Sequence, residues 1–267
     1  MSTLPMPAPR LSVPAAAPEP ARVPLEPPWS QAQLLPDNLN PHPRLIAWTR
    51  PQEMEAEQFR RLAVRLQNLR GQRKMQLLVI TSGAPREGKS LIAANLAMIL
   101  ARLRQDRVLL LEGDLHRPTL MHRLKLSEKT PGLGNWLEGQ VPLPDCLWRH
   151  PVEPLWLIPA GQVTRPPLEL LERAQLSEFA QQFRQNFDWV LVDAPPVLPL
   201  ADASHWTGIA DGVLLVIRQH LTRRSEIRQV QELLSPPLLA GVVLNDSSGP
   251  EHRYYSQYYY SRRRSKD

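Results

Sequence analysis

Three stretches of the chain combine residue types whose spacing could do chemistry. The first is Gly83-Ala84-Pro85-Arg86-Glu87-Gly88-Lys89-Ser90, set between an apolar β-type run from Val79 and an uncharged helical pattern ending near Arg104. Strand, glycine-bearing loop and helix in that order make a polyphosphate cradle. Gly83 and Gly88 let the backbone curl so that its N–H groups point inward, and the helix that follows adds its positive N-terminal end. The backbone from Gly83 through Leu91 would hold ATP, Lys89 would reach the β- and γ-phosphates, and the Ser90 hydroxyl would ligate Mg²⁺.

The second stretch is acidic. In Arg107 to Leu115, four consecutive apolar residues suit a buried parallel strand, with Glu112 and Asp114 at its C-terminal end, where open α/β sheets place ligands. Two acids one residue apart on an extended chain point the same way. A second apolar strand runs from Phe187 and closes on Asp193-Ala194-Pro195-Pro196, the arrangement in which a carboxylate orients Mg²⁺ directly or through water. The third stretch is the C-terminus, where all five tyrosines of the chain lie: Tyr254, Tyr255, Tyr258, Tyr259 and Tyr260. A core would use tyrosine freely. Its confinement to a polar, Arg-rich end marks exposed phenols, read as phosphate acceptors beside an ATP site or as a docking peptide.

Those residues need a scaffold, and the intervening pattern supplies one. A helix from Gln52 to Gln72 precedes the phosphate-loop strand, with Phe59, Leu62, Val64, Leu66 and Leu69 among Glu and Arg. Beyond Asp114 come a turn-rich part around Pro131, Gly132 and Gly134, a short strand at Leu155 to Ile158, and a helical pair near Leu168 to Leu171 and Leu176 to Phe183. Strands at Gly212 to Ile217 and Leu239 to Leu244 flank a helix from Ser225 to Leu234. Strand and helix alternate throughout, so the expected fold class is α/β, a doubly wound, mostly parallel sheet. Trp136, Trp148 and Trp156 read as packing residues.

At 267 residues and 42% hydrophobic content, the chain can bury one α/β core with residues left for tails. Residues 1–51 hold 13 of the 29 prolines and read as a disordered Pro-rich segment, 52–247 as the domain, and 248–267 as a flexible Tyr/Arg-rich tail. Of the net charge of +6, the tail supplies +3, from five Arg and Lys against two acids. Without an aromatic-basic recognition fold, nucleic acid is not an expected partner. Cys146 is alone, which excludes an intramolecular disulfide and fits a reducing cytosol and a buried thiol. No apolar run approaches the roughly 20 residues of a membrane span, so a soluble protein is expected.

With these pieces in place, the chain resembles the bacterial tyrosine kinases of the capsule and exopolysaccharide type, cytoplasmic autokinases of polysaccharide export. The resemblance covers about residues 45–260. The family loop Ser-x-x-Pro-Gly-Glu-Gly-Lys-Ser stands here as Ser82 to Ser90, and its Asp-x-Asp-x-Arg motif as Glu112-Gly113-Asp114-Leu115-His116, followed by Arg117-Pro118. Asp-x-Pro-Pro matches Asp193 to Pro196 with Asp202 at the usual spacing, and Gly241 to Asn245 resembles the strand that brings an asparagine near adenine. The resemblance implies that Lys89 and the loop amides bind ATP and that Ser90, Asp114 and Asp193 hold Mg²⁺. It places Glu112 at the catalytic base and implies γ-phosphoryl transfer to a tail tyrosine on a neighbour in a ring. Phosphotyrosines opposite Arg262, Arg263 and Arg264 would reshape the assembly. A separate membrane chain-length regulator is the implied activator, with the kinase peripheral at the inner face of the plasma membrane.

Three departures stand out. Glu112 replaces an Asp, His116 replaces an Arg, and the ring-forming Glu-x-x-Arg-x-x-Arg helix motif reads Glu57-Gln58-Phe59-Arg60-Arg61-Leu62-Ala63, without its last Arg. The alternative functions are a nucleotide-binding scaffold without kinase activity and a partitioning or positioning ATPase. The latter class carries a lysine where Ala84 stands.

Overall fold

The computed structural model describes residues 28–234 and 238–247. Apolar runs too short for helices form an eight-stranded sheet: β1 (Gln33–Leu34), β2 (Leu77–Ser82), β3 (Val108–Glu112), β4 (Trp148–Arg149), β5 (Leu155–Ile158), β6 (Trp189–Asp193), β7 (Gly212–Arg218) and β8 (Leu239–Asn245). Their spatial order is β1-β4-β5-β3-β6-β2-β7-β8. Each neighbouring pair is parallel except β4 with β5. Ile80 and Glu112 are both cross-strand partners of Asp193, so the C-terminal ends of β2, β3 and β6 meet at one point.

Ten helices connect and cover the strands among the described residues: α1 (Ile46–Thr49), α2 (Met54–Gln72), α3 (Lys89–Arg104), α4 (Leu120–Leu124), α5 (Leu133–Leu137), α6 (Leu143–Cys146), α7 (Pro167–Arg173), α8 (Leu176–Asn186), α9 (Asp202–Gly208) and α10 (Arg224–Leu233). Strand side chains alternate between two cores, as a period of two dictates. Leu78, Ile80, Leu110 and Leu191 face a layer with Leu66, Leu96 and Leu100, whereas Leu77, Val79, Leu109 and Val190 face one with Leu171, Phe183, Trp206 and Val230. Each fully buried Leu or Ile contributes about 1.5–3 kcal/mol of transfer free energy. The sheet is thereby packed on both faces. Trp156 is buried and Trp136 and Trp148 are partly buried against the two cores, and Cys146 is buried.

Residues 28–51 correct the expectation of a disordered segment reaching residue 51. Trp29 is 3% exposed and stands edge-on to Phe183 and Phe187 at 5.5 and 5.1 Å. Asn95 of α3 binds the segment twice, its Oδ1 accepting from Ala47 N at 2.9 Å and its Nδ2 donating to Arg44 O at 3.1 Å. Proline content lowered the apparent capacity of this stretch to fold, but Trp29, Leu35, Leu45 and Ala47 bury enough surface to offset its ordering entropy. Residues 1–27 and the tyrosine tail at 248–267 lie outside the described residues.

Candidate active site

The phosphate loop is shaped by its own sequence. Gly88 has φ 97° and Arg86 φ 68°, left-handed values that glycine adopts freely and arginine does not. A Cβ on Gly88 would stand 2.1 Å from Asn245 Nδ2, which donates instead to the Glu87 carbonyl at 2.9 Å. Asn245 thereby braces the loop from β8. Glu87 is fully buried; its carboxylate accepts from Ala84 N at 2.9 Å and pairs with the Thr222 hydroxyl. The Ser82 hydroxyl donates to Ala84 O at 2.7 Å.

Lys89, first residue of α3, meets the acidic strand ends. Its Nζ lies 2.6 Å from Asp114 Oδ2 and 3.8 Å from Asp193 Oδ1. Burial pushes the Lys89 ammonium down, but Asp193 and Asp114 outweigh it and hold the group above its ordinary range. Asp193 is pushed up chiefly by burial, with Lys89 and Ser90 opposing. Although Ser90 is near enough to act on it, neither Asp193 oxygen meets hydrogen-bond geometry with any described residue. A buried carboxylate without a hydrogen bond, 3.8 Å from an ammonium and near a hydroxyl, suits a divalent cation. No cluster of three or more His, Cys, Asp or Glu side chains suited to metal occurs among the described residues. Mg²⁺ would thus rest on Ser90, one or two carboxylates and phosphate oxygens, the usual pattern for that ion.

Pro85, Arg86, Gly88, Lys89, Ser90 and Asp114 line a cleft of about 570 Å³, and His116, Arg117, Thr119, Arg123, Pro196, Pro199 and Leu200 complete the lining. Glu112 is absent from that lining. The chain leaves its extended path after Glu112, so the two acids do not share a direction. Glu112 Oε1 accepts from Thr119 N and Leu120 N at 2.6 Å each, and Oε2 from Ala160 N at 3.0 Å. Burial pushes its carboxyl up to about 7 against those three donors. His116 Nε2 donates to Asp202 Oδ2 at 2.7 Å. Thr119 and Arg123, on the turn that Glu112 holds, were not singled out by sequence. The only clue was a basic residue in a helical turn following the acidic strand end.

No family model matches the chain. It is 32% identical over 216 residues to the tyrosine-protein kinase YwqD of Bacillus subtilis (strain 168), an alignment taking in 80% of this chain and 90% of that protein. The putative tyrosine-protein kinase EpsB of Ralstonia solanacearum is 33% identical over 223 residues, 81% of this chain but 30% of the relative. The chain therefore corresponds to less than a third of that longer protein. The kinase domain of the Escherichia coli tyrosine kinase ETK has a TM-score of 0.68 and 26% identity, covering 77% of this chain and 82% of that one. With that sequence identity, and with a lysine-bearing phosphate loop facing two strand-end aspartates, the chain belongs to the bacterial tyrosine kinases of capsule and exopolysaccharide biosynthesis.

Proposed function

We propose that this kinase transfers the γ-phosphate of Mg-ATP to Tyr254, Tyr255, Tyr258, Tyr259 and Tyr260 of its own tail, in a neighbouring copy. The observation that carries the reading is the buried Lys89 ammonium, held by Asp114 and Asp193, in the lining of the cleft beside the loop. The loop from Gly83 to Leu91 cradles the phosphates, and Lys89 exchanges Asp114 for a β- or γ-oxygen. Ser90, Asp114 and Asp193 would hold Mg²⁺, which would supply positive charge against the phosphate oxygens. The phenol oxygen bonds to phosphorus as the β–γ bridging bond breaks, ADP leaves, and the phenolic proton passes to solvent water. Because the transfer is loose, positioning and charge account for most of the rate. Glu112 acts at one remove, by fixing the Thr119–Leu120 backbone.

A ring of copies would bring tail and cleft together. Its contacts depart from the family motif, since Ala63 is fully buried. Arg60 is engaged internally, with Glu57 at 2.7 Å and the Pro51 carbonyl at 2.6 Å. No helix among the described residues is long and apolar enough to cross a membrane, which is compatible with a peripheral place at the inner face of the plasma membrane beside a separate membrane regulator of chain length. Incubating the full chain with Mg-ATP and the cytosolic peptide of such a regulator, then mapping phosphate by mass spectrometry, tests the reading. Modified tail tyrosines in wild type and none in Lys89→Met are expected. Nucleotide binding with unmodified tyrosines would leave the scaffold reading, which the replacement of the motif's Asp and Arg by Glu112 and His116 favours.

A further inference from the structure

Opposite the phosphate loop, one turn of chain carries polar capacity that the fold does not use. Thr119 is the N-cap of α4 and Arg123 follows it by four residues, so the two side chains share a face. Both line the cleft with Lys89, Ser90 and Asp114. The Thr119 hydroxyl and Arg123 Nε are buried, and neither has a hydrogen-bond partner among the described residues. Arginines that serve the fold behave differently. Arg102 binds Glu153 at 2.7 Å and also donates to the Ala47 carbonyl, and Arg184 binds Asp211 and the Ile209 carbonyl at 2.8 and 2.6 Å. A half-buried guanidinium without such acceptors is costly unless a ligand supplies them.

The backbone beneath these side chains is held from three directions. Glu112 takes the Thr119 and Leu120 N–H groups, Leu120 and Leu124 are buried in the core, and the Arg123 carbonyl accepts from His42 N at 2.7 Å. Little conformational freedom remains to be lost when a ligand arrives. Resting on the nucleotide-site reading above, we propose that Thr119 and Arg123 form a second phosphoryl-binding wall, which grips the terminal phosphate of the bound nucleotide across the cleft from the loop. A guanidinium fork and an adjacent hydroxyl match the oxygens of a phosphoryl group. The wall lines the same cleft as Lys89, the side chain that reaches the β- and γ-phosphates, and so would meet the γ-position. It would act most strongly when charge spreads over the equatorial oxygens during transfer.

The test measures the affinity of the full chain for Mg-ADP with and without aluminium fluoride, a mimic of the phosphoryl group in flight. Wild type is expected to gain on the order of 100-fold from the fluoride complex. Arg123→Met should lose most of that gain while Mg-ADP affinity stays within about threefold. Arg123→Lys should recover part of it, and Thr119→Val should lose about tenfold. Melting temperatures identify any variant that fails to fold, and Thr119→Val, nearly isosteric, carries the test if Arg123→Met does so. An unchanged fluoride gain in folded Arg123→Met and Thr119→Val, or equal losses with and without fluoride, overturns the wall. Wild type that binds no Mg-nucleotide overturns the site reading and this inference together, whereas wild-type binding with an unaltered variant gain overturns the inference alone.

Discussion

The two walls of the cleft are built on opposite plans. On the loop wall, polar side chains are committed to the fold: Glu87 to Ala84 and Thr222, Asn245 to the Glu87 carbonyl, Ser82 to Ala84. By contrast, the Thr119 hydroxyl and Arg123 Nε in the lining of the cleft, and both Asp193 oxygens at the end of β6, have no such bonds among the described residues. The first wall gives shape and backbone donors, and the second gives unspent charge. Buried polar groups left unpaired destabilise a fold unless something else satisfies them. The contrast therefore locates where ligand binding returns energy.

Lys89 bridges the two walls, so its removal should break the comparison most completely. Lys89→Met is expected to lower transfer by on the order of 10³-fold while leaving the fold intact, measured by phosphotyrosine formation beside a melting curve. Next in size is Asp193→Asn. Transfer and Mg²⁺-dependent nucleotide affinity should fall together by on the order of 100-fold, with a smaller loss of thermal stability, since the variant leaves the buried Lys89 ammonium paired with Asp114 alone. A clear drop in melting temperature with unchanged activity would return Asp193 to a structural role.

The loop wall predicts the reverse balance. In Gly88→Ala, a new Cβ would meet the Asn245 amide and the backbone would keep a positive φ. A stability loss of about 1–3 kcal/mol is expected, with weaker nucleotide binding following from the displaced loop. Asn245→Ala should cost about 1 kcal/mol through the lost bond to Glu87 O, and its nucleotide affinity reports how far bracing matters.

Glu112 sharpens the comparison by pH. Its carboxyl titrates near 4.5 in a model peptide and about 7 in the fold, so the unfolded chain ionises first. This group therefore makes stability fall as pH rises from about 4.5 to about 7, and outside that window its contribution is flat. Glu112→Gln faces backbone donors with an amide and should melt lower at pH 5, by about 2–4 °C per kcal/mol lost. The gap should narrow by pH 8 as the wild-type penalty develops; a constant gap would contradict the assignment. The smallest effect belongs to the half-buried ion pair on α2, where Arg60→Ala should cost no more than about 1 kcal/mol.

Much of this was legible because local pattern and tertiary role coincide. The loop from Gly83 to Ser90, the strand ends at Asp114 and Asp193, and the alternation around Leu77 to Ile80 all carry their period or spacing in neighbouring residues. Other roles depend on partners distant in sequence. Nothing near Asn245 announces its bond to a carbonyl at residue 87, and nothing near Glu112 announces that Thr119, Leu120 and Ala160 will converge on it. Trp29 was masked by proline-rich surroundings, and Arg123 by its place in a helix of five residues. Buried unpaired atoms are a property of the assembled walls.

The account rests on the cleft delivering phosphate to phenols that occur only at the end of the chain. Its most direct test is a mixture in which Lys89→Met supplies the full tail and an otherwise wild-type chain, with Tyr254, Tyr255, Tyr258, Tyr259 and Tyr260 changed to Phe, supplies the only competent cleft, with Mg-ATP and the activating peptide present. Phosphotyrosine on the Lys89→Met chain is predicted, because one copy serves another. No phosphotyrosine in the mixture, when wild type alone becomes modified, would contradict transfer between copies; an unmodified wild type would contradict the kinase account itself.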